Sequence, residues 1–244
     1  MSPDIEIQRG ADTVDSGRRA LRLAGVLMVV GLLLNAVSTV IHPAGEEDDH
    51  EAIFTEYANS DAWVAVHLGQ FVGVLLALGG VLVLCRALRA TATGGSPLLA
   101  HFATAAAVAT AATWAVLQGL DGVGLKQAVD AWASASGADK AVRFANAETV
   151  RWLEWGFQSY FRLLLGLTFA LLGAVILAGR LVAGWLGWTA VVMGIISAAI
   201  GVDVGYSGLA SGLQDFLGIT FVVIVLVFAF AVLATGIREG RRHP

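Results

Sequence analysis

Four residues in the first third of the chain carry side chains that bind metal ions. His42 and His67 flank an acidic segment, and Glu46 and His50 lie within that segment. Imidazole nitrogens and carboxylate oxygens are ligands of zinc and copper, and two facing histidines can hold a haem iron from opposite sides. The sequence therefore predicts a metal site (zinc or copper) or a haem site among these four residues. A hydrogen-bonded structural role and a proton-linked switch are the alternatives for His42 and His67.

No motif of a known reaction accompanies these residues. The sequence contains no HExxH, no CxxC and no CxxCH, and no GxxxxGK[ST] phosphate loop; these are the patterns that would identify a zinc protease, a redox or haem site, or an ATP-driven motor. The one cysteine, Cys85, cannot form an intrachain disulfide and is expected to pack. The sequence therefore leaves open whether the protein is an enzyme.

A second set of polar residues lies within or beside long apolar segments, on single helical faces. Asn35, Ser38 and Thr39 share one face with His42, and Gln118 shares another with Asp121. Because an unpaired polar group in hydrocarbon costs several kcal/mol, these faces are expected to meet around a polar cleft that binds a small ligand. The predicted ligand-binding residues are Asn35, Gln70, Gln118, Asp121, Glu148, Glu154, Gln158, Arg162 and Asp203.

Arg162 lies deepest in the apolar sequence among these residues. An arginine near the centre of a membrane costs at least about 2.5 kcal/mol, so a partner is expected. Asp121 is the preferred partner and Asp203 the second choice. Two alternatives remain: the side chain extends to the outer headgroups, or it binds a carboxylate or phosphate group of a ligand.

Six apolar segments must position these side chains. Each is close to the ~20 residues that a helix needs to cross a bilayer. Hydrophobic residues make up 57% of the chain and charged residues 14%, against about 25% charged residues in soluble domains. We predict an all-α, polytopic transmembrane bundle of six helices in a cell membrane. The segments are 23–41, 62–85, 98–118, 157–179, 184–202 and 216–235.

The charges predict the orientation of the bundle. If the six segments alternate, one side holds ten of the fifteen basic residues and the other holds fourteen of the nineteen acidic residues. By the positive-inside rule the basic side is the cytoplasm, so both termini are expected there. The predicted layout is a cytoplasmic tail over 1–20, a membrane domain over 21–238 with outer loops 42–61 and 120–150, and a cytoplasmic tail over 239–244. A short helix is expected within VGLKQAVDAW of the second outer loop.

Glycines at regular spacing indicate where helices approach each other. Gly69 and Gly73 form a GxxxG pair, and Gly187, Gly194 and Gly201 recur every seven residues. Small residues let helix backbones come close in lipid, so these glycines are expected at helix–helix contacts.

The segment GRLVAGWLGW, residues 179–188, leads into the glycine-rich fifth span. In this feature the second half of the chain resembles uncharacterised six-span membrane protein families of bacteria and archaea. The resemblance implies the six-span topology and no reaction. An excess of thirteen arginines over two lysines also favours a prokaryotic source.

Three classes of function are compatible with these features. The first is a site for a small ligand, metal or haem in an outward-facing cleft. The second is a transporter or channel that uses the same cleft, and the third is an accessory or sensor subunit of a membrane complex or homo-oligomer. The expected partners are the lipid bilayer and a small molecule or ion at the outer face. Nucleic acid is excluded as a partner, because the net charge is −4 and the basic residues are dispersed at segment ends.

Overall fold

The computed structural model describes residues 3–43, 45, 47–91, 96–209 and 211–238, with side chains from Ser16 onward except that of Ser96. Within these ranges the secondary structure is helical. Eight α-helices and one π-helical segment follow each other along the chain. They are α1 (Pro3–Ile41), α2 (His50–Ala58), α3 (Trp63–Ala90), α4 (Ser96–Gly119), the π segment (Leu120–Leu125), α5 (Lys126–Ser134), α6 (Ala138–Ala178), α7 (Gly184–Ser207) and α8 (Gly212–Arg238).

Six stretches of helix are long and apolar enough to cross a membrane, which confirms the six predicted spans. The chain is therefore a multi-pass membrane protein. These stretches are Ser16–Ile41, Trp63–Ala90, Pro97–Ala133, Ala138–Ala178, Gly184–Ser207 and Gly212–Arg238. Their outer surfaces carry exposed aliphatic and aromatic side chains, such as Ile219 and Phe230 of α8, which suit contact with lipid.

The six long helices pack as a closed ring. Each packs against the next long helix in the sequence, and α8 closes the ring by packing against α1. A ring of six helices leaves an interior space that a tighter bundle would fill. The polar faces of the helices can therefore turn inward to a cavity and away from lipid.

Glycines make the closest helix contacts in the ring, as the sequence predicts. Gly69 and Gly73 of α3 face Ser38 and the backbone of α1. A Cβ atom on Gly194 would lie 2.7 Å from the backbone oxygen of Gly166, and one on Gly201 would lie 2.8 Å from that of Ser159. At both positions α7 approaches α6 so closely that only glycine fits.

One end of the ring is covered by a structure that we call the cap: α2, the π segment, α5 and residues 138–150 of α6. Its core combines Ile53, Phe54 and Tyr57 with Val129 and Trp132. Of the two segments predicted as loops, 120–150 is thus mostly helical, and 42–61 contains the nine-residue helix α2. The short helix expected within VGLKQAVDAW is confirmed as α5.

Helix α6 is much longer than its apolar segment. Its 41 residues span about 60 Å, twice the thickness of the hydrocarbon core, so α6 continues past the membrane into the cap. At the opposite end, which we call the terminal end, α1 begins at Pro3 and reaches into the segment predicted as a tail. Residues 239–244 lie outside the described residues, and the cytoplasmic location of both tails stays a prediction.

Candidate metal centre

The ring encloses a cavity of about 690 Å³ that begins beneath the cap and extends toward the terminal end. The structure brings most of the predicted ligand-binding residues together on its wall. The polar residues that line it are Asn35, Thr39, His42, Glu47, Gln70, Gln118, Asp121, Arg151, Glu154, Gln158 and Arg162. Whether these residues bind a ligand stays a prediction, but they line one cavity.

His42, His67 and Asp121 form a compact group at the cap end of this cavity. One ligand atom from each residue lies within 4.8 Å of the other two. The three come from different elements: His42 follows the end of α1, His67 lies in the first turns of α3, and Asp121 opens the π segment. Pro43 prevents α1 from continuing and leaves His42 at the helix end.

Hydrogen bonds to the backbone orient both imidazole rings in the same way. Nδ1 of His67 donates to the carbonyl oxygen of Trp63 at 2.8 Å, and Nδ1 of His42 donates to that of Pro43 at 2.6 Å. Because a carbonyl oxygen can only accept, both Nδ1 atoms carry a proton, and in a neutral ring the lone pair is then on Nε2. A carbonyl bonded to the distal ring nitrogen is the usual support of a metal-binding histidine.

Nε2 of His67 lies 3.0 Å from Oδ2 of Asp121. A neutral Nε2 and an ionised carboxylate are both acceptors, so this contact is favourable only when a proton or a cation lies between them. Burial, together with the neighbouring His67, lowers the pKa of His42 below its ordinary range, which keeps this second imidazole neutral and able to bind a metal.

The π segment determines where the Asp121 carboxylate lies. A π-helical turn is wider than an α-helical turn and is often found at functional sites. Here Nε1 of Trp63 donates to the backbone oxygen of Asp121 at 3.1 Å. Gly122 packs against His67 so closely that a Cβ atom on it would lie 2.6 Å from the Cβ of His67. These two contacts fix the π segment against α3.

Aromatic rings surround the two imidazoles. The ring of Trp63, which is fully buried, lies 4.3 Å from the ring of His67 and 5.1 Å from that of His42, centroid to centroid. The Tyr57 ring lies 4.2 Å from Trp63 on the cap side. These rings limit solvent access, which strengthens electrostatic interactions at the site.

A buried ion cluster lies on the cavity wall contributed by α6. Arg151 is 1% exposed; its guanidinium bonds Glu154 at 2.9 Å and also pairs with Glu47. It also lies over the rings of Tyr57 and Trp155, 5.5 and 5.6 Å from their centroids. Burial raises the pKa of the Tyr57 hydroxyl, which keeps it uncharged. The charge of Arg151 is therefore neutralised by Glu154 and Glu47.

Arg162 differs from Arg151 in having no anionic partner among the described residues. Its guanidinium lies over the Phe221 ring, 5.8 Å from the centroid, and its buried Nε has no hydrogen bond to any described residue. The expectation that it pairs with Asp121 or Asp203 is wrong, because Asp121 bonds His67 and Asp203 bonds the amide of Gln214 at 2.8 Å.

Three other predicted site residues lie elsewhere. Nδ1 of His50 bonds Oε1 of Glu148 at 3.0 Å, so the structure does not bring His50 to the histidine pair, and Glu148 does not line the cavity. Asp203 lies near the end of α7 and is also absent from the cavity wall. Glu46 lies outside the described residues.

The sequence predicts Asp121 on the walls of the same cleft as His42 and His67, but not as a metal ligand. It also left Glu47 and Tyr57 out of the site. The polar face shared by Gln118 and Asp121 was the available signal, because it ends at the same side of the membrane as His42 and His67.

Compared with protein-family models, curated proteins and solved structures, the chain has no match in any of the three. The resemblance to six-span prokaryotic families is therefore supported only in its coarsest part, the six membrane-length helices. The site has to be interpreted from its own geometry.

Proposed function

We propose that the protein binds one zinc ion through His42, His67 and Asp121, at the cap end of its intramembrane cavity. The observation that carries this proposal is the approach of the three ligand atoms to within 4.8 Å of one another. Two ligands of a tetrahedral zinc ion lie about 3.3 Å apart, since each is 2.0–2.2 Å from the metal. Small side-chain movements therefore bring the three atoms to bonding distance.

Three protein ligands leave one coordination position open. Structural zinc sites usually have four protein ligands, whereas catalytic sites have three and a water molecule. The cavity beside His42 and Asp121 supplies space for that water and for a substrate. A zinc ion here would lower the pKa of its bound water and polarise a substrate carbonyl or phosphoryl oxygen. The reaction class that we propose is metal-assisted hydrolysis.

A bare ion suits the site better than haem. The two axial ligands of a haem iron lie on opposite sides of a flat macrocycle. Here the imidazole centroids are 5.1 Å apart, Trp63 packs against both rings, and Asp121 lies beside both nitrogens. These side chains occupy the space that a macrocycle would need. Zinc is favoured over copper as the more common ion at sites of two imidazoles and one carboxylate with a bound water.

The site is proposed to face the outside of the cell. Arg86, Arg89 and Arg180 follow spans at the terminal end, together with the arginines near both termini. The positive-inside rule places that end in the cytoplasm and the cap outside. A transport path would have to continue through the terminal half of the ring. The deep part of the cavity is instead lined by apolar side chains such as Leu78, which favours a binding site over a path.

Metal analysis of the purified protein tests the proposal. Protein extracted without chelator and then dialysed against zinc should hold one zinc ion per chain by elemental mass spectrometry. His67→Ala and Asp121→Ala should each lose it, whereas His50→Ala should keep it, because His50 lies outside the group. Retention of zinc in both site variants would contradict the proposal, and so would metal-free wild-type protein. If His50→Ala lost as much zinc as the site variants, the zinc would be bound by a different set of histidines, and the proposed site would be wrong.

A further inference from the structure

We propose that the cavity binds an anionic amphiphile, with its acidic headgroup on Arg162 and its alkyl chain in the apolar part below. The amphiphile is a single-chain carboxylate or phosphate that comes from the bilayer. This site goes beyond the zinc site and does not depend on it, since it rests on a different residue and on a deeper part of the cavity.

The charge on Arg162 is available to a ligand. Of the two arginines that α6 directs to the cavity, Arg151 is neutralised by Glu154 and Glu47. Arg162 has no ion pair and no side-chain hydrogen bond with any residue that the structure describes, and its Nε is buried. A guanidinium in this setting binds a carboxylate or phosphate strongly, because its planar donors match the two oxygens.

The backbone around Arg162 is held in place. Oγ of Ser197 in α7 donates to the backbone oxygen of Arg162 at 2.8 Å. Gly201 approaches its side chain so closely that a Cβ atom there would lie 3.0 Å from the Cβ of Arg162. The stem of the side chain is therefore packed against α7, while the residue lines the cavity. A pre-positioned cation loses little conformational freedom when an anion binds.

Below Arg162 the cavity becomes apolar. Leu165 and Phe169 follow on α6, and Val81 and Val225 face them from α3 and α8. Phe169 is seven residues beyond Arg162, about 10 Å along the helix axis. This part of the cavity has the depth and the lining that an alkyl chain needs, and the described residues that line it below Arg162 are apolar.

The cavity also reaches the lipid-facing surface. Val40 of α1 and Val222 of α8 line the cavity and are at the same time 87% and 48% exposed. Helices α1 and α8 approach closely at Gly25 and Gly236, near the terminal end. Toward the cap, both helices line the cavity with apolar side chains that are also exposed, which suits entry of an amphiphile from the membrane.

Binding of dodecyl phosphate to the full chain in phosphatidylcholine nanodiscs tests this inference, with dodecanol and inorganic phosphate as matched probes. Dodecyl phosphate should bind with 1:1 stoichiometry, and each of the other two should bind at least about tenfold more weakly, because each lacks half of the recognised chemistry. Equal binding of inorganic phosphate would show a site for free anions, and equal binding of dodecanol an apolar site only. Either result would overturn the inference.

Arg162→Met, which keeps an unbranched side chain of about the length of the arginine stem and removes the guanidinium, should reduce the affinity for dodecyl phosphate about tenfold or more. Arg143→Met, at an exposed pair with Asp139, should leave it unchanged. Unchanged binding in Arg162→Met would contradict the inference. If that variant does not fold, the three-probe comparison on the wild type still decides it.

Binding should also survive removal of metal by EDTA. Loss of binding with EDTA would place the headgroup on the zinc site and would contradict the role of Arg162. Failure of the zinc proposal alone leaves all of these outcomes unaffected, so the two proposals are tested separately.

Discussion

His67 Nε2 and Asp121 Oδ2 lie 3.0 Å apart, although 54 residues separate them in the chain. A second bond, from Nε1 of Trp63 to the backbone oxygen of Asp121, joins the same two elements one helical turn away. The pair is therefore held by the packing of α3 against the π segment as well as by its own hydrogen bond. Metal affinity should depend on that packing.

Gly122→Ala should disrupt the zinc site without touching a ligand. Its new Cβ atom would lie 2.6 Å from the Cβ of His67, which cannot rotate away, so α3 and the π segment must separate. We expect zinc affinity to fall about tenfold or more, as it does when outer-shell partners are lost. Competition with a zinc chelator measures this change.

Gly119→Ala is the matched control for that variant. Gly119 lies just before the π segment, and a Cβ atom there would meet nothing within 4 Å. Its zinc affinity should equal that of the wild type. Equal affinities of Gly122→Ala and Gly119→Ala would mean that His67 and the π segment do not cooperate in binding.

Trp63→Phe should weaken the site by a smaller amount. The substitution keeps an aromatic ring beside both imidazoles but removes the donor to the Asp121 carbonyl. We expect a loss of about 1 kcal/mol of stability and a reduced zinc affinity, measured by thermal unfolding and by chelator competition. Trp152→Phe, at a ring 55% exposed, should change neither; identical behaviour of the two variants would argue against a role for the Trp63 bond.

Arg151→Met should be among the most destabilising changes in the chain. It leaves Glu154, which is 5% exposed, without its partner, and an unpaired buried charge costs about 3–5 kcal/mol. Adding Glu154→Gln should recover part of this loss, because the buried charge is then removed. Unfolding of the single and double variants in detergent measures the coupling. A double variant less stable than Arg151→Met would contradict this account of the pair.

Gly194→Ala should loosen the contact between α6 and α7. The added methyl group would lie 2.7 Å from the backbone oxygen of Gly166 and 2.9 Å from the nitrogen of Ala170. Overpacking of this kind costs about 1–3 kcal/mol. Gly218→Ala in α8, with nothing within 4 Å, should raise stability slightly. Thermal unfolding of both variants should separate them; a Gly194→Ala variant as stable as Gly218→Ala would show that the close contact is not required.

The six helices and their glycine contacts could be predicted from the sequence, because both depend on local composition. A run of about 20 apolar residues has few alternatives to a membrane helix, and GxxxG spacing places Gly69 and Gly73 on one face. The cap could be predicted only in part. Residues 138–150 of α6 are polar enough to resemble a loop, and they remain helical because they pack against α2 and α5.

Of the three residues in the candidate metal site, only the two histidines could be predicted from the sequence as metal ligands. Their partner Asp121 comes from a different span, and the π segment shifts it away from the position that a 3.6-residue period would give. The partner predicted for Arg162 is wrong for a different reason: Asp121 contacts His67, and Arg162 has no ion pair among the described residues. His50 and Glu148 form a hydrogen bond with each other within the cap. No spacing rule in the sequence predicts that contact.

X-ray absorption at the zinc edge on the zinc-loaded protein tests the central claim most directly. The account predicts two imidazole nitrogens and carboxylate oxygen at about 2.0–2.2 Å from the metal, and no signal of protein-bound zinc from His67→Ala. A spectrum of zinc surrounded by oxygen alone, or one that His67→Ala leaves unchanged, would contradict it.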